Sequence, residues 1–166
     1  DDDRFIINNL VIKNAFSWEH IKIVFSTFFR ANYHPLTTLF YSIEYDLWGL
    51  DPKAFHRHNI ILHLLNVVLV FIFIFKLSRH YIPGLLCALL FAIHPMHIES
   101  VAWVAERKDV LYAFFFLCSL ISYHEHLTKN KALPLCYSFV FFLLALLSKP
   151  AAIILPFILI LLDLFI

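Results

Sequence analysis

Residues 51–77 read DPKAFHRHNIILHLLNVVLVFIFIFKL, and this stretch decides the fold. Asp51 is a good helix cap and Pro52 a favoured first-turn residue. Neither a glycine nor a second proline interrupts the run before Leu77. A helix over these residues would be roughly 39 Å long at about 1.5 Å per residue, which exceeds a bilayer's hydrocarbon core of about 30 Å. The polar first turns, Lys53 to Asn59, therefore protrude, and residues 60–75 cross.

Composition points the same way. Of 166 residues, 61% are hydrophobic and 15% charged, against roughly 25% charged in a soluble domain. Phenylalanine alone fills 19 positions. A soluble globule of this size cannot hide that much apolar surface, so the chain is expected to be a membrane protein. The net charge of +1 gives no basic excess for a nucleic-acid partner. With only Gly49 and Gly84 available, no glycine-rich phosphate loop of the P-loop or dinucleotide type can form. Cys87, Cys118 and Cys136 lie in apolar runs and fit neither a disulfide framework nor a CxxC metal site.

Four more apolar runs follow, at 82–93, 110–123, 132–147 and 151–166. The expected architecture is an all-α polytopic bundle of about five spans over 52–166, preceded by an external loop, 1–51, with interfacial helices. Both ends read as cut from a longer protein. In the loop, Ser17 caps an amphipathic helix carrying Trp18, Ile21, Val24 and Phe28. A second helix is expected from Pro35 to just before Gly49, with Leu36, Leu39, Phe40, Ile43 and Leu47 as its stripe. Pro150 should separate the last two helices and start the final one, with Pro156 kinking it. The short basic flanks around Lys76, Arg79, Lys129 and Lys131 place 78–81 and 124–131 on the cytoplasmic side. The loop 1–51, the link 94–109 and Lys149 then share the external or lumenal side.

Three polar clusters meet there: Asp1-Asp2-Asp3-Arg4, the stretch from His94 to Asp109, and Lys149. Charges set against membrane spans are costly and so point to function. His94, His97 and Glu99 are a weak candidate set for a divalent metal, but Pro95 argues against the regular helix that would align the two histidines. His63 is expected to make a hydrogen bond within the bundle.

The order Asp2-Asp3, Asn32-Tyr33-His34-Pro35-Leu36-Thr37, Phe55-His56-Arg57-His58-Asn59 and Leu62-His63-Leu64-Leu65-Asn66 resembles one family. The most specific piece is His94-Pro95-Met96-His97-Ile98-Glu99-Ser100-Val101-Ala102-Trp103-Val104-Ala105-Glu106-Arg107-Lys108-Asp109-Val110-Leu111, and Leu147-Ser148-Lys149-Pro150 completes it. The chain resembles the membrane module of tetratricopeptide-repeat-containing O-mannosyltransferase-like proteins, in the GT-C superfamily of lipid-linked sugar transferases. The resemblance implies a transmembrane helix before Asp1, more after Ile166, and a soluble repeat domain beyond. It also implies transfer of a sugar, mannose expected, from a polyprenyl or dolichyl phosphate carrier to a Ser/Thr hydroxyl of an acceptor protein. The host membrane would be the bacterial inner membrane or the endoplasmic reticulum. The family's catalytic acids of the first external loop match Asp2 and Asp3. His34 stands where many members carry Arg.

This chemistry suits the residues. The donor's tail dissolves in the bilayer and its phosphate sits at the interface, so no nucleotide fold is needed. A carboxylate must accept the hydroxyl proton, a task for Asp2 or Asp3. The departing phosphate needs fixed cations, for which Arg107, Lys149 and Arg4 are the candidates. His34, His97, Glu99 and Asp109 are the candidate sugar or acceptor contacts. No cofactor is required beyond, on the lesser reading, that divalent metal. Two other functions compete: a non-catalytic membrane anchor for a repeat domain, and a metal-dependent membrane hydrolase.

Overall fold

The computed structural model describes residues 9, 11–13, 17–28 and 33–166. Among them the chain is all-α, with no strand. The elements are α1 (Trp18–Ser26), α2 (Pro35–Trp48), α3 (Pro52–Ser78), α4 (Tyr81–Ile93), α5 (Met96–Ala102), α6 (Arg107–Lys129), α7 (Ala132–Ser148) and α8 (Leu155–Phe165). Single 3-10 turns at Val104–Glu106 and Pro150–Ile154 precede α6 and α8.

The expected start and stop signals act as chemistry dictates. The Ser17 hydroxyl accepts from His20 N–H, and Asp51 Oδ1 accepts from Lys53 N–H, each closing an open first turn. Gly49 ends α2 at φ +62°, a left-handed conformation natural to glycine. Pro156 does not kink α8. It occupies the first turn, where a missing N–H costs nothing, because residues 150–154 wind as a 3-10 turn instead.

Among the described residues two helices, Pro52–Ser78 and Val104–Lys129, are long and apolar enough to cross a membrane. Tyr81–Ile93 with Met96–Ala102 forms a third, bent by 63°. The bend falls at His94-Pro95, where proline blocks continuation of α4. The two remaining apolar segments, Ala132–Ser148 and Pro150–Phe165, are shorter.

Helices α3 and α4, and α6 and α7, pair as antiparallel neighbours, and α6 also packs on α3. Side-chain bonds from Asn59 to the 101–107 segment, from Asn66 to Val110 and from Lys76 to Glu125 advance together along both chains, so α3 and α6 run parallel. Gly84 lets α4 close on α3, since a Cβ there would lie 3.2 Å from the Phe71 ring and the Phe71 carbonyl. Ser119 Oγ donates to the Ser138 carbonyl over 2.8 Å and ties α6 to α7.

Helix α2 buries its polar side rather than its apolar stripe. Leu36 is inside, but Ile43 and Leu47 are exposed, and Thr37, Tyr41, Ser42 and Glu44 are buried. The reason is the solvent. In a bilayer protein apolar groups gain little by leaving lipid, whereas polar groups must find partners within the protein. Thr37 Oγ1 accordingly donates to the Ser148 carbonyl, and Tyr41 Oη to the Val104 carbonyl. These bonds fasten α2 across the end of the bundle. On α1, His20 and Val24 are buried while Trp18 is exposed, and His20 Nε2 pairs with Ser42 Oγ at 3.0 Å.

Candidate functional site

The site sits where α3, the end of α4, α5, the start of α6 and the end of α7 come together. Asp109, in the first turn of α6, forms an ion pair with Lys149, the residue that ends α7. Ser100 Oγ donates to the second carboxylate oxygen of Asp109. A cavity of about 220 Å³ opens beside this pair, lined by His63, Asn66, Phe91, His97, Ser100, Tyr112, Asp109 and Lys149 among others. His97, Asp109 and Lys149, separated in sequence, are thus brought to one wall.

Lys149 and His97 are each held by backbone. Lys149 N–H donates to the Ala145 carbonyl and its own carbonyl accepts from Ala152, which fixes the lysine at the α7 break. His97 Nδ1 lies 2.7 Å from the Phe91 carbonyl, and since a carbonyl can only accept, that nitrogen donates. His63 Nε2 likewise meets the Ala92 carbonyl at 3.2 Å, the intrabundle bond expected of it. Asn66 is fully buried and gives its Nδ2 to the Val110 carbonyl.

His34 caps the start of α2 without a side-chain capping bond, and lines a second cavity with Thr38, Tyr41, Ala105 and Lys108. Burial, then the nearby charges of Lys108 and Lys149, hold its pKa below the ordinary value of 6.5. A neutral imidazole beside cations fits a hydrogen-bonding role better than a charge-pairing one.

Arg107 stands elsewhere. Its guanidinium is 0% exposed and forms an ion pair with Glu44 of α2. Its Nε donates to Asn59 Oδ1 at 2.7 Å and Nη2 to the Phe55 carbonyl at 2.8 Å. The cation also stacks over Tyr41 and Phe55. Every face is taken, so the expected donor-phosphate contact is displaced by an internal one: Arg107 joins α2, α3 and α6. His58 Nδ1 completes the group at 3.1 Å from Glu44 Oε1. Burial pushes Glu44 above the ordinary carboxylate range, opposed by Arg107 and His58.

Glu99 is exposed on α5 and does not line the cavity beside Asp109. His94 and His97 have ring centroids 5.7 Å apart, and His94 Nδ1 accepts from Met96 N–H. Among the described residues no three His, Cys, Asp or Glu side chains gather as a metal site, because α4 ends at Ile93 and His94, His97 and Glu99 never share one helix face. Asp2, Asp3 and Arg4 lie outside the described residues.

Glu44, Asn59, Asn66 and Ser100 are the members that sequence reasoning passes over. Asn59, His63 and Asn66 recur at steps of four and three within an apolar run, a polar helical stripe that marks the inward face. Glu44 carries no such signal.

Fold and site together define a membrane-spanning helical bundle with a charged, partly enclosed cavity at one end. The chain resembles the O-mannosyltransferase-like TMTC proteins. It is 36% identical to human protein O-mannosyl-transferase TMTC4 over 144 residues, which is 74% of this chain and 19% of that protein. It is 34% identical to Xenopus laevis protein O-mannosyl-transferase tmtc2 over 135 residues, 76% of this chain and 16% of that protein. With human protein O-mannosyl-transferase TMTC1 the figures are 36% over 102 residues, 61% and 12%. The chain thus spans between a tenth and a fifth of the length of the relatives it matches. No protein-family model and no solved structure matches it.

Proposed function

We propose that the chain is the part of a membrane O-mannosyltransferase that holds a lipid-linked sugar donor, and that the whole protein transfers mannose from a polyprenyl or dolichyl phosphate to a Ser/Thr hydroxyl. The observation that carries this reading is the Asp109–Lys149 pair beside a cavity at the bundle end, in a chain whose relatives are named protein O-mannosyl-transferases. A prenyl chain lies in the bilayer and its phosphate reaches headgroup depth, the depth expected for a lysine at the end of an apolar helix. Lys149 neutralises the phosphate, and Asp109 with Ser100 holds the ammonium in place. His97 and His34 supply ring nitrogens for hydrogen bonds to sugar or acceptor hydroxyls.

The reaction forms a bond from the acceptor oxygen to the anomeric carbon and breaks the bond from that carbon to the phosphate oxygen. The hydroxyl proton passes to a carboxylate, assigned to Asp2 or Asp3 from the sequence. Prenyl phosphate leaves, its charge met by Lys149 and, from the sequence, Arg4. Because Arg107 is enclosed, its part is to hold α2, whose start His34 caps, against α3 and α6. The site faces the external or lumenal side.

The test is direct. Full-length protein is incubated with polyprenyl-phosphate mannose and an acceptor peptide, and the peptide is weighed. A gain of one hexose, lost in both Asp2→Asn and Asp3→Asn or in one of them, supports the reading. No gain with active, folded protein overturns it.

A further inference from the structure

The opposite end of the bundle carries a second built feature. Helices α3 and α6 finish side by side there, and a cavity of about 270 Å³ opens between their last turns, lined by Phe75, Lys76, Arg79, His124, Glu125 and Lys129, among others. Two of its three cations share one carboxylate. Lys76 Nζ lies 2.8 Å from Glu125 Oε1 and Lys129 Nζ 3.3 Å from Glu125 Oε2. Arg79 has no carboxylate partner among the described residues. Lysines in a last helical turn are ordinarily explained by the negative end of the helix dipole. That explanation covers Lys76 and Lys129, but neither the unpaired Arg79 nor the space between the helices. His124, only 5% exposed, gives the cavity a polar wall, and its Nδ1 has no hydrogen-bond partner among the described residues.

Depth identifies the occupant. From Asp109 to Glu125 is sixteen residues of α6, about 24 Å along the helix, so the two cavities lie near the two surfaces of a hydrocarbon core of about 30 Å. Phe75 at the rim, with Val68 further along α3, is exposed and apolar, a flank for acyl chains. A cationic pocket between transmembrane helix ends at this depth suits an anionic lipid headgroup. We infer that the cavity formed by Lys76, Arg79, His124 and Lys129 binds the phosphate headgroup of an anionic phospholipid, at the surface opposite the sugar-donor cavity. The guanidinium of Arg79 offers a two-pronged donor to the phosphate, and Lys129 adds a mobile charge. This site is independent of the transferase reading.

Full-length protein is equilibrated with vesicles of phosphatidylcholine alone or with added phosphatidylglycerol, and the lipid retained after extraction is counted by native mass spectrometry. Wild type should retain phosphatidylglycerol in preference to phosphatidylcholine. Arg79→Asn combined with Lys129→Gln should weaken that retention about tenfold, while Lys53→Gln at the far end of α3 should not. Asparagine suits the left-handed conformation of position 79 (φ +60°), so the helix end survives. If the double variant loses its melting transition, Arg79→Asn alone decides, with a loss of about threefold or more expected. Unchanged retention in folded variants overturns the proposal. So does equal protection of the protein by inorganic phosphate without lipid, which would make the site one for a free phosphate.

Discussion

Arg107 and Glu44 form an ion pair inside the protein, and it joins helix α2 to α6, while the hydrogen bonds of Arg107 to Asn59 and Phe55 join it to α3. The pair has no solvent to fall back on, since the guanidinium is enclosed and the carboxylate nearly so. Removing one partner would leave the other charge buried and uncompensated.

Glu44→Gln should therefore cost about 3–5 kcal/mol of stability, far more than an exposed pair would. Glu125→Gln, whose carboxylate is partly exposed, should cost less than about 1 kcal/mol. Melting temperatures of both variants in one detergent check the contrast. Equal shifts would remove the Arg107–Glu44 pair from its role.

His34 gives a pH signature. Its pKa is lowered in the folded protein, so below pH 6.5 the unfolded chain binds the proton more readily. That proton uptake makes stability fall as pH drops through the window beneath 6.5 and leaves it unaffected above. His34→Asn should flatten this part of the curve. The check is the melting temperature of wild type and variant between about pH 7.5 and about pH 5.5. Parallel curves would show that His34 does not supply the dependence.

Gly84 is the contact point of α3 and α4. The space beside it is tight for a Cβ, which would lie 3.2 Å from both the ring and the backbone of Phe71. Gly84→Val should lower stability by about 1–3 kcal/mol through overpacking. Shortening the ring by Phe71→Leu should restore part of the loss, although the backbone contact persists. A double-mutant cycle on melting temperature measures that recovery, and simple additivity would show that the two residues do not meet.

Much of this fold is written locally. Ser17, Pro35, Gly49, Asp51 and Pro52 mark helix ends by rules that act within one turn, and the structure follows each of them. The polar stripe of Asn59, His63 and Asn66 also announces its inward face. What local rules miss is partnership across the bundle. Arg107 reads as a phosphate ligand because a cation near the interface invites an anion, yet Glu44, 63 positions earlier in the chain, claims it. The buried polar face of α2 is not announced either, because Thr37, Tyr41, Ser42 and Glu44 all find partners far along the chain. The proximity of His97, Asp109 and Lys149 depends on the bend at His94-Pro95 and the break at Pro150, both visible as prolines. The Asp109–Lys149 partnership itself is not. The 3-10 turn after Pro150 also withholds the α-helical N-terminus that the sequence suggests at that point.

Asp109 and Lys149 are both partly exposed, so their pairing contributes little to stability while fixing the ammonium for a ligand. Asp109→Asn should leave the melting temperature nearly unchanged and raise the KM for the lipid donor by about tenfold, the loss of one charge-assisted positioning contact. A matched fall in stability and binding would show instead that the pair is structural.

The central claim is that Lys149 meets the donor phosphate. Binding of a prenyl-phosphate analogue to the full-length protein in detergent is measured as the rise in melting temperature it produces. Lys149→Met, which keeps the side-chain bulk, should lose most of that rise while its own unliganded transition remains. Lys131→Met, at the other end of the bundle, should keep it. A full ligand-induced rise in Lys149→Met would contradict the account and leave Lys149 as an interfacial anchor.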